Sequence, residues 1–148
     1  MALHQPPPLF GRLTMVLNDH RQLEVTLVSL RRMCVQVESG GGGPASELDP
    51  AALIGSLIQS LSAHFAVEES PGYFGTVVSD RPALAEAVAE LTAEHSEMLV
   101  TLRALHAVSA SEASWQELPV PLLELVDRLE RHERAETRLM REFFESDD

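Results

Sequence analysis

The sequence has no lysine, and only one cysteine, one tryptophan and one tyrosine. A lone cysteine excludes an internal disulfide and any cysteine-rich zinc or iron–sulfur site. All 11 basic residues are arginine, against 23 Asp plus Glu, for a net charge of −12. So acidic a surface repels phosphate backbones and anionic headgroups, which makes nucleic acid and membrane poor partners. No apolar run approaches the ~18 residues needed to span a bilayer. Residues 1–12 hold three consecutive prolines and no apolar h-region, so no secretory signal is expected and the location expected is cytoplasmic. Alternation of period two is also missing, which leaves no convincing strand. What remains is an ordinary globular mix, 45% hydrophobic and 23% charged, in 148 residues. One domain over 1–148 is expected, with a core of about 9–144.

The stretch Ser39–Gly43 with Pro44 reads SGGGGP, a flexible link over 39–44 that no helix survives. Pro71-Gly72 is a second break. Between the breaks apolar residues recur at three- and four-residue steps, the helical period, in four segments. The first covers about 9–37, with Leu13, Val16, Leu17, His20, Leu23, Leu27, Leu30, Cys34 and Val37 in its stripe. The second opens at Asp49-Pro50, an N-cap and a first-turn proline, and carries Leu53, Leu57, Leu61, His64 and Glu68. The third opens near Asp80-Arg81-Pro82 and carries Leu84, Val88, Leu91, His95, Met98, Leu102 and Leu105. The fourth starts near Pro119, because Pro121 is tolerated only in a first turn, and carries Leu122, Leu125, Leu129, His132, Glu136, Leu139 and Phe143. Ser114-Trp115-Gln116-Glu117 has capping-box spacing and predicts a short turn before it. The fold class expected is all-α, an up-down-up-down four-helix bundle.

Each stripe holds one histidine where a bundle wants leucine, and His64 and His132 are followed four residues later by Glu68 and Glu136. Side chains at i and i+4 share a face, so each pair projects inward together. A buried, uncompensated carboxylate costs more than a domain's net stability, and no Arg shares those stripes. A metal cation compensates both, and imidazole with carboxylate suits iron, zinc or manganese. Register agrees. His20 lies 17 residues before Val37 and His64 lies 14 after Pro50; His95 lies 13 before Val108 and His132 lies 13 after Pro119. At about 1.5 Å per residue these offsets match to roughly one turn. Glu68 is close to Pro71, so residues 73–79 must climb, as a kinked extension or a loop, for His95 to reach the same layer. One histidine on an apolar face is commonly a hydrogen-bonded core residue. Four at one level with two glutamates form a ligand set, and six ligands exceed the usual four of one structural zinc. His106 is three turns from His95, His4 lies in the proline-rich tail, and Cys34 is two heptads beyond His20, so none belongs to the set. The arginine-and-glutamate faces around Arg128, Arg131, Arg134 and Arg138 read as solvated surface.

The ordered marks Asp19-His20, His64-Phe65-x-x-Glu68-Glu69, Glu94-His95 and His132-x-x-x-Glu136 resemble the hemerythrin-like, HHE cation-binding family, from about Asn18 to Phe144. The resemblance implies a four-helix bundle holding two iron ions, a non-haem di-iron centre, with zinc or manganese as substitutes. It makes His20, His64, His95 and His132 terminal ligands and Glu68 and Glu136 bridging carboxylates. Ferritin-like bundles instead need Glu-x-x-His on two helices. Leu61, Thr92 and Leu129 stand at that position before His64, His95 and His132.

Two departures matter. Oxygen-carrying hemerythrins have a further histidine four residues after the one on helix three, and here that position is Leu99. Their last step, His to Asp over five residues, is here His132 to Glu136 over four. Open metal positions are therefore expected, for which Glu69, Glu97 and Tyr73 are candidate fillers, the two glutamates being placed on the surface. The leading expectation is a di-iron protein that binds O2 or a related small ligand for sensing, storage or detoxification. The ligand would enter an apolar pocket of Leu61, Phe65, Met98, Leu99 and Leu129. A di-iron peroxidase or oxidase is the enzyme alternative, marked by a second reactive group, for which Tyr73 is the only tyrosine. A structural metal-binding helical module is the third, marked by a closed shell. With no output domain in the sequence, signalling requires a protein partner or a homo-oligomer.

Overall fold

The computed structural model describes residues 8–40 and 49–145, without the side chains of 8–10 and 12. Residues 41–44 of the expected Gly-rich link, and His4, lie outside the described residues. The described chain is helical: α1 Pro8–Glu38, α2 Pro50–Glu68, α3 Phe74–Asp80, α4 Ala85–Ser109 and α5 Pro119–Glu145. Two 3-10 turns, Pro82–Leu84 and Glu112–Glu117, precede α4 and α5.

Local chemistry sets these boundaries. α1 ends at Gly40, whose φ of 80° is the left-handed geometry that closes a helix. Its amide donates to the Val37 carbonyl at 3.0 Å. Asp49 caps α2 by accepting from the Ala51 amide at 3.1 Å, with Pro50 in the first position, as the sequence predicts. The climbing segment after Pro71-Gly72 is the short helix α3, and Pro82 opens a 3-10 turn, so α4 begins only at Ala85. The short turn expected at Ser114–Glu117 is the second 3-10 turn, which starts after Ser111 without a side-chain cap. That turn ties two helix ends together. Trp115 Nε1 donates to the Ser109 carbonyl at 2.9 Å, and Gln116 Nε2 donates to the Val37 carbonyl at 2.6 Å.

α1 packs on α2 and α5, and α4 packs on the same two, so the four long helices form a ring. The buried stripes largely follow the sequence, but Leu13, Leu53 and Phe143 are only half-buried, Ile54 is buried beside Leu53, and Leu17 is 47% exposed. Its neighbour Val16 turns inward instead, because it is in phase with Leu23, Leu27 and Leu30. Contrary to the expectation that no apolar run approaches the length of a membrane span, α2 is long and apolar enough, at mean hydropathy 1.3, to cross a membrane by length and composition. Core helices share that composition, and its Ile54, Leu57, Leu61, His64, Phe65 and Glu68 are buried.

The apolar interior is divided in two. A larger cluster runs from Leu23, Leu61, Met98 and Leu129 to Trp115 and Leu118. A smaller one gathers Val16, Tyr73, Phe74, Val77, Leu91 and Leu139. The helices cross from one cluster to the other at His20, at His64–Glu68, at His95 and at His132–Glu136. The polar side chains are thus a layer between two apolar halves.

Candidate metal centre

All six residues singled out in the sequence meet in that layer. His64, Glu68, His95, His132 and Glu136 are at most 5% exposed, and the His20 side chain is 16% exposed. They fall into two groups whose potential ligand atoms lie within 4.8 Å of one another: His20, His64, Glu68 and Glu136, and Glu68, His95 and His132. Glu68 belongs to both. Its Oε2 lies 2.8 Å from His64 Nε2 and 3.7 Å from His20 Nε2, and its Oε1 lies 3.0 Å from His95 Nε2. Glu136 Oε1 lies 3.6 Å from His20 Nε2. The rings pair likewise, His20 with His64 and His95 with His132, each at 4.9 Å between centroids.

Close as they are, these atoms are not hydrogen-bonded. His20 Nε2, both Glu68 oxygens, His95 Nε2, His132 Nε2 and Glu136 Oε1 are buried without a hydrogen-bond partner. Orphaned buried polar atoms are costly and rare in a native protein. Here they converge from four helices, the arrangement expected of donors aimed at cations between them.

The outward sides of the rings are tied down. His64 Nδ1 meets Asp19 Oδ2 at 3.2 Å, His95 Nδ1 meets Glu69 Oε2 at 2.7 Å, and His132 Nδ1 meets Glu94 Oε1 at 2.6 Å. A carboxylate can only accept, so each Nδ1 carries the hydrogen and each Nε2 is turned inward. A residue beside a ligand on a helix is rotated by about 100°, toward the neighbouring helix. Asp19 precedes His20, Glu94 precedes His95 and Glu69 follows Glu68, and each reaches the histidine of the next helix round the ring. Glu69 is therefore an orienting group and not a free surface residue. Glu97 is exposed and lies 3.4 Å from Arg128. These contacts were missed in the sequence, although the three acids flank His20, Glu68 and His95 in the quoted marks. Asp19→Ala and Glu94→Ala are each expected to weaken metal binding by about 10–100-fold while the site still fills at excess metal. Competition with a chelator of known affinity measures this.

Tyr73 also belongs to the site. It is 1% exposed, and its hydroxyl donates to Glu136 Oε2 at 3.0 Å. Nothing periodic marks it, since it follows the Pro-Gly break. Burial, with Glu136 and Glu68 beside it, raises its pKa and keeps the phenol protonated. Tyr73→Phe deprives a buried carboxylate of its donor, at an expected cost of about 1.5–3 kcal/mol, read as a lower urea midpoint at unchanged slope.

Burial opposes charge on every histidine of the layer, but the neighbouring Glu136 and Glu68 carboxylates outweigh it at His20, whose pKa rises to about 10. Glu68 with Asp19, and Glu68 with Glu69, likewise raise His64 and His95, whereas at His132 burial prevails and the pKa is lowered. Burial also opposes charge on Glu68, yet the polar side chains of Glu136, His20, His64 and His95 around it hold it well below the usual range. Burial, with Glu68 alongside, pushes Glu136 up to about 7.

Phe65 floors the layer, its ring stacked on His95 at 3.8 Å and 7°. Leu61, Phe65, Met98 and Leu129, expected to line a pocket, are packed into the larger core, with Leu99 half-buried against it. The open space lies in grooves between helices. One of about 420 Å³ between α1 and α2 touches Asp19 and His64. Another, of about 290 Å³ between α4 and α5, touches Met98, His132 and Arg131.

A profile of the hemerythrin HHE cation binding domain matches residues 13–144. The chain belongs to that family, and the matched span carries every residue of the layer. No curated protein and no solved structure matches it.

Proposed function

We propose that the protein is a single-domain, up-down-up-down bundle holding two iron ions, which binds O2 or a related small ligand for sensing, storage or detoxification. The observation that carries this reading is the convergence of orphaned His and Glu atoms into two groups sharing Glu68. His20 and His64 would hold one ion, His95 and His132 the other, with Glu68 and Glu136 between them. Such a centre supplies Lewis acidity and one-electron chemistry toward O2. The chain's own part is to aim four Nε2 atoms through the Nδ1 contacts and to keep a proton on Tyr73 beside Glu136. The group built on His95 and His132 has the fewest protein donors, and the α4–α5 groove reaches His132. A small ligand suits that opening, and no device for a large polar substrate is evident there.

The test is anaerobic loading with Fe(II), then exposure to O2 while the visible spectrum is recorded. A band that appears with O2 and fades when O2 is removed supports binding; a spectrum indifferent to O2 contradicts it. The buried Tyr73 favours a second reading, a di-iron peroxidase or oxidase, because it places a proton-bearing group on Glu136. Sustained peroxide turnover that falls in Tyr73→Phe supports that reading.

A further inference from the structure

Glu133 stands outside the six residues read as ligands, yet it shares their defining property. Its Oε2 is buried without a hydrogen-bond partner, among the same orphaned atoms as those of His20, Glu68, His95, His132 and Glu136. It lies 3.9 Å from His20 Nε2, in the range that Glu68 and Glu136 occupy at 3.7 and 3.6 Å from the same atom. Among the described residues no arginine lies within ion-pair distance of it. Donors around one ion at about 2.1 Å are separated by roughly 3–4 Å, so Glu133 Oε2 stands at donor spacing from His20 Nε2, just outside the group of His20, His64, Glu68 and Glu136.

The competing role is that of an orienting acid. Glu133 follows His132 on α5 and faces α1, continuing the ring of contacts made by Asp19, Glu69 and Glu94. Those three acids, however, meet the Nδ1 atoms of their histidines. Glu133 approaches Nε2, the nitrogen that faces the other donors. It therefore stands on the metal side of the ring. Glu133 also lines a groove of about 320 Å³ between α1 and α5, together with His20, Glu24 and Glu130.

We propose that Glu133 is a further metal ligand, completing the His20–His64 position with a third carboxylate. The proposal rests on the two-metal reading above. It makes the two positions unequal: His20, His64, Glu68, Glu136 and Glu133 on one side, against Glu68, His95 and His132 on the other. The first becomes the tighter, and the second is left with the fewer protein donors.

The experiment is anaerobic titration of the apo-protein with Mn(II), with free Mn(II) counted by electron paramagnetic resonance, for wild type, Glu133→Gln and Glu24→Gln. Thermal unfolding is recorded for each with and without Mn(II). Wild type is expected to bind two ions, one more tightly. Glu133→Gln should still bind two, with the tighter affinity reduced at least about tenfold and the weaker unchanged. Glu24 is an exposed charge in the same groove, so Glu24→Gln should leave both affinities in place. Without metal Glu133→Gln should melt at most slightly lower than wild type, losing no hydrogen bond and only the 3.9 Å ion pair with His20, and with Mn(II) it should melt markedly lower. Unchanged Mn(II) affinities in Glu133→Gln would overturn the proposal and leave the two-metal reading standing. So would an equal loss in Glu24→Gln, which would make the effect one of general charge, or an equal drop in melting with and without metal. A wild type that binds fewer than two ions would overturn the two-metal reading, and this proposal with it.

Discussion

Glu68→Ala is expected to empty both metal positions at once. Its two oxygens face opposite ways, Oε2 toward His64 and His20 and Oε1 toward His95, and it is the one residue common to both donor groups. Alanine removes a donor from each side and also the negative charge that offsets two cations at the centre of a buried layer. Bound metal after desalting should fall from two ions per chain to none. Glu69→Ala is the informative contrast, since Glu69 touches only the outward nitrogen of His95 and is 41% exposed. Its loss should weaken one ion by about 10–100-fold and leave the other in place. Equal loss in the two variants would mean that Glu68 is not shared.

Stripping the metal is expected to lower the melting temperature by roughly 15 °C or more, and by more as the pH rises. Each of two sites filled at a thousand times its Kd adds about 4 kcal/mol, and each kcal/mol moves the midpoint of a chain this size by about 2–4 °C. The pH dependence follows from the apo layer. His20, raised to about 10, stabilises the apo fold in full below about 6.5 and loses that contribution as pH climbs through about 10. His64 and His95 shift in the same direction. Glu136, raised to about 7, is favourable when protonated, and that contribution is lost between about 4.5 and 7. Glu68 works the other way, its contribution being lost only as pH falls below the usual carboxylate range. Bound metal needs neutral imidazoles and ionised carboxylates, so loading displaces the protons that the apo layer holds. The gap in melting temperature between loaded and stripped protein should therefore widen from about pH 6 to about pH 9. A gap constant over that window would show that the apo histidines are not held protonated.

The inward-facing part of the site was legible because it breaks a pattern. A histidine in a leucine stripe, repeated on four helices and twice followed by glutamate at i+4, is visible in a single sequence and fixes both face and height. The capped start of α2 at Asp49 and the proline start of α5 were legible for the same local reasons. The supporting residues were not. Asp19, Glu69 and Glu94 stand at positions that helical periodicity assigns to solvent, and only the packing of neighbouring helices shows which imidazole each one meets. Tyr73 and α3 follow the Pro-Gly break, in a stretch too short to establish a period. Leu17 misled because it sits beside the stripe, and two adjacent apolar residues do not say which one turns inward.

The proposed centre is two cations that share the buried Glu68, and metal stoichiometry tests that most directly. Apo-protein is reloaded anaerobically with excess Fe(II), desalted and assayed for iron against protein concentration, with Glu68→Ala alongside. Two ions per chain in wild type, and essentially none in Glu68→Ala, is the expected result. One ion per chain in wild type, or two ions surviving in Glu68→Ala, would contradict it.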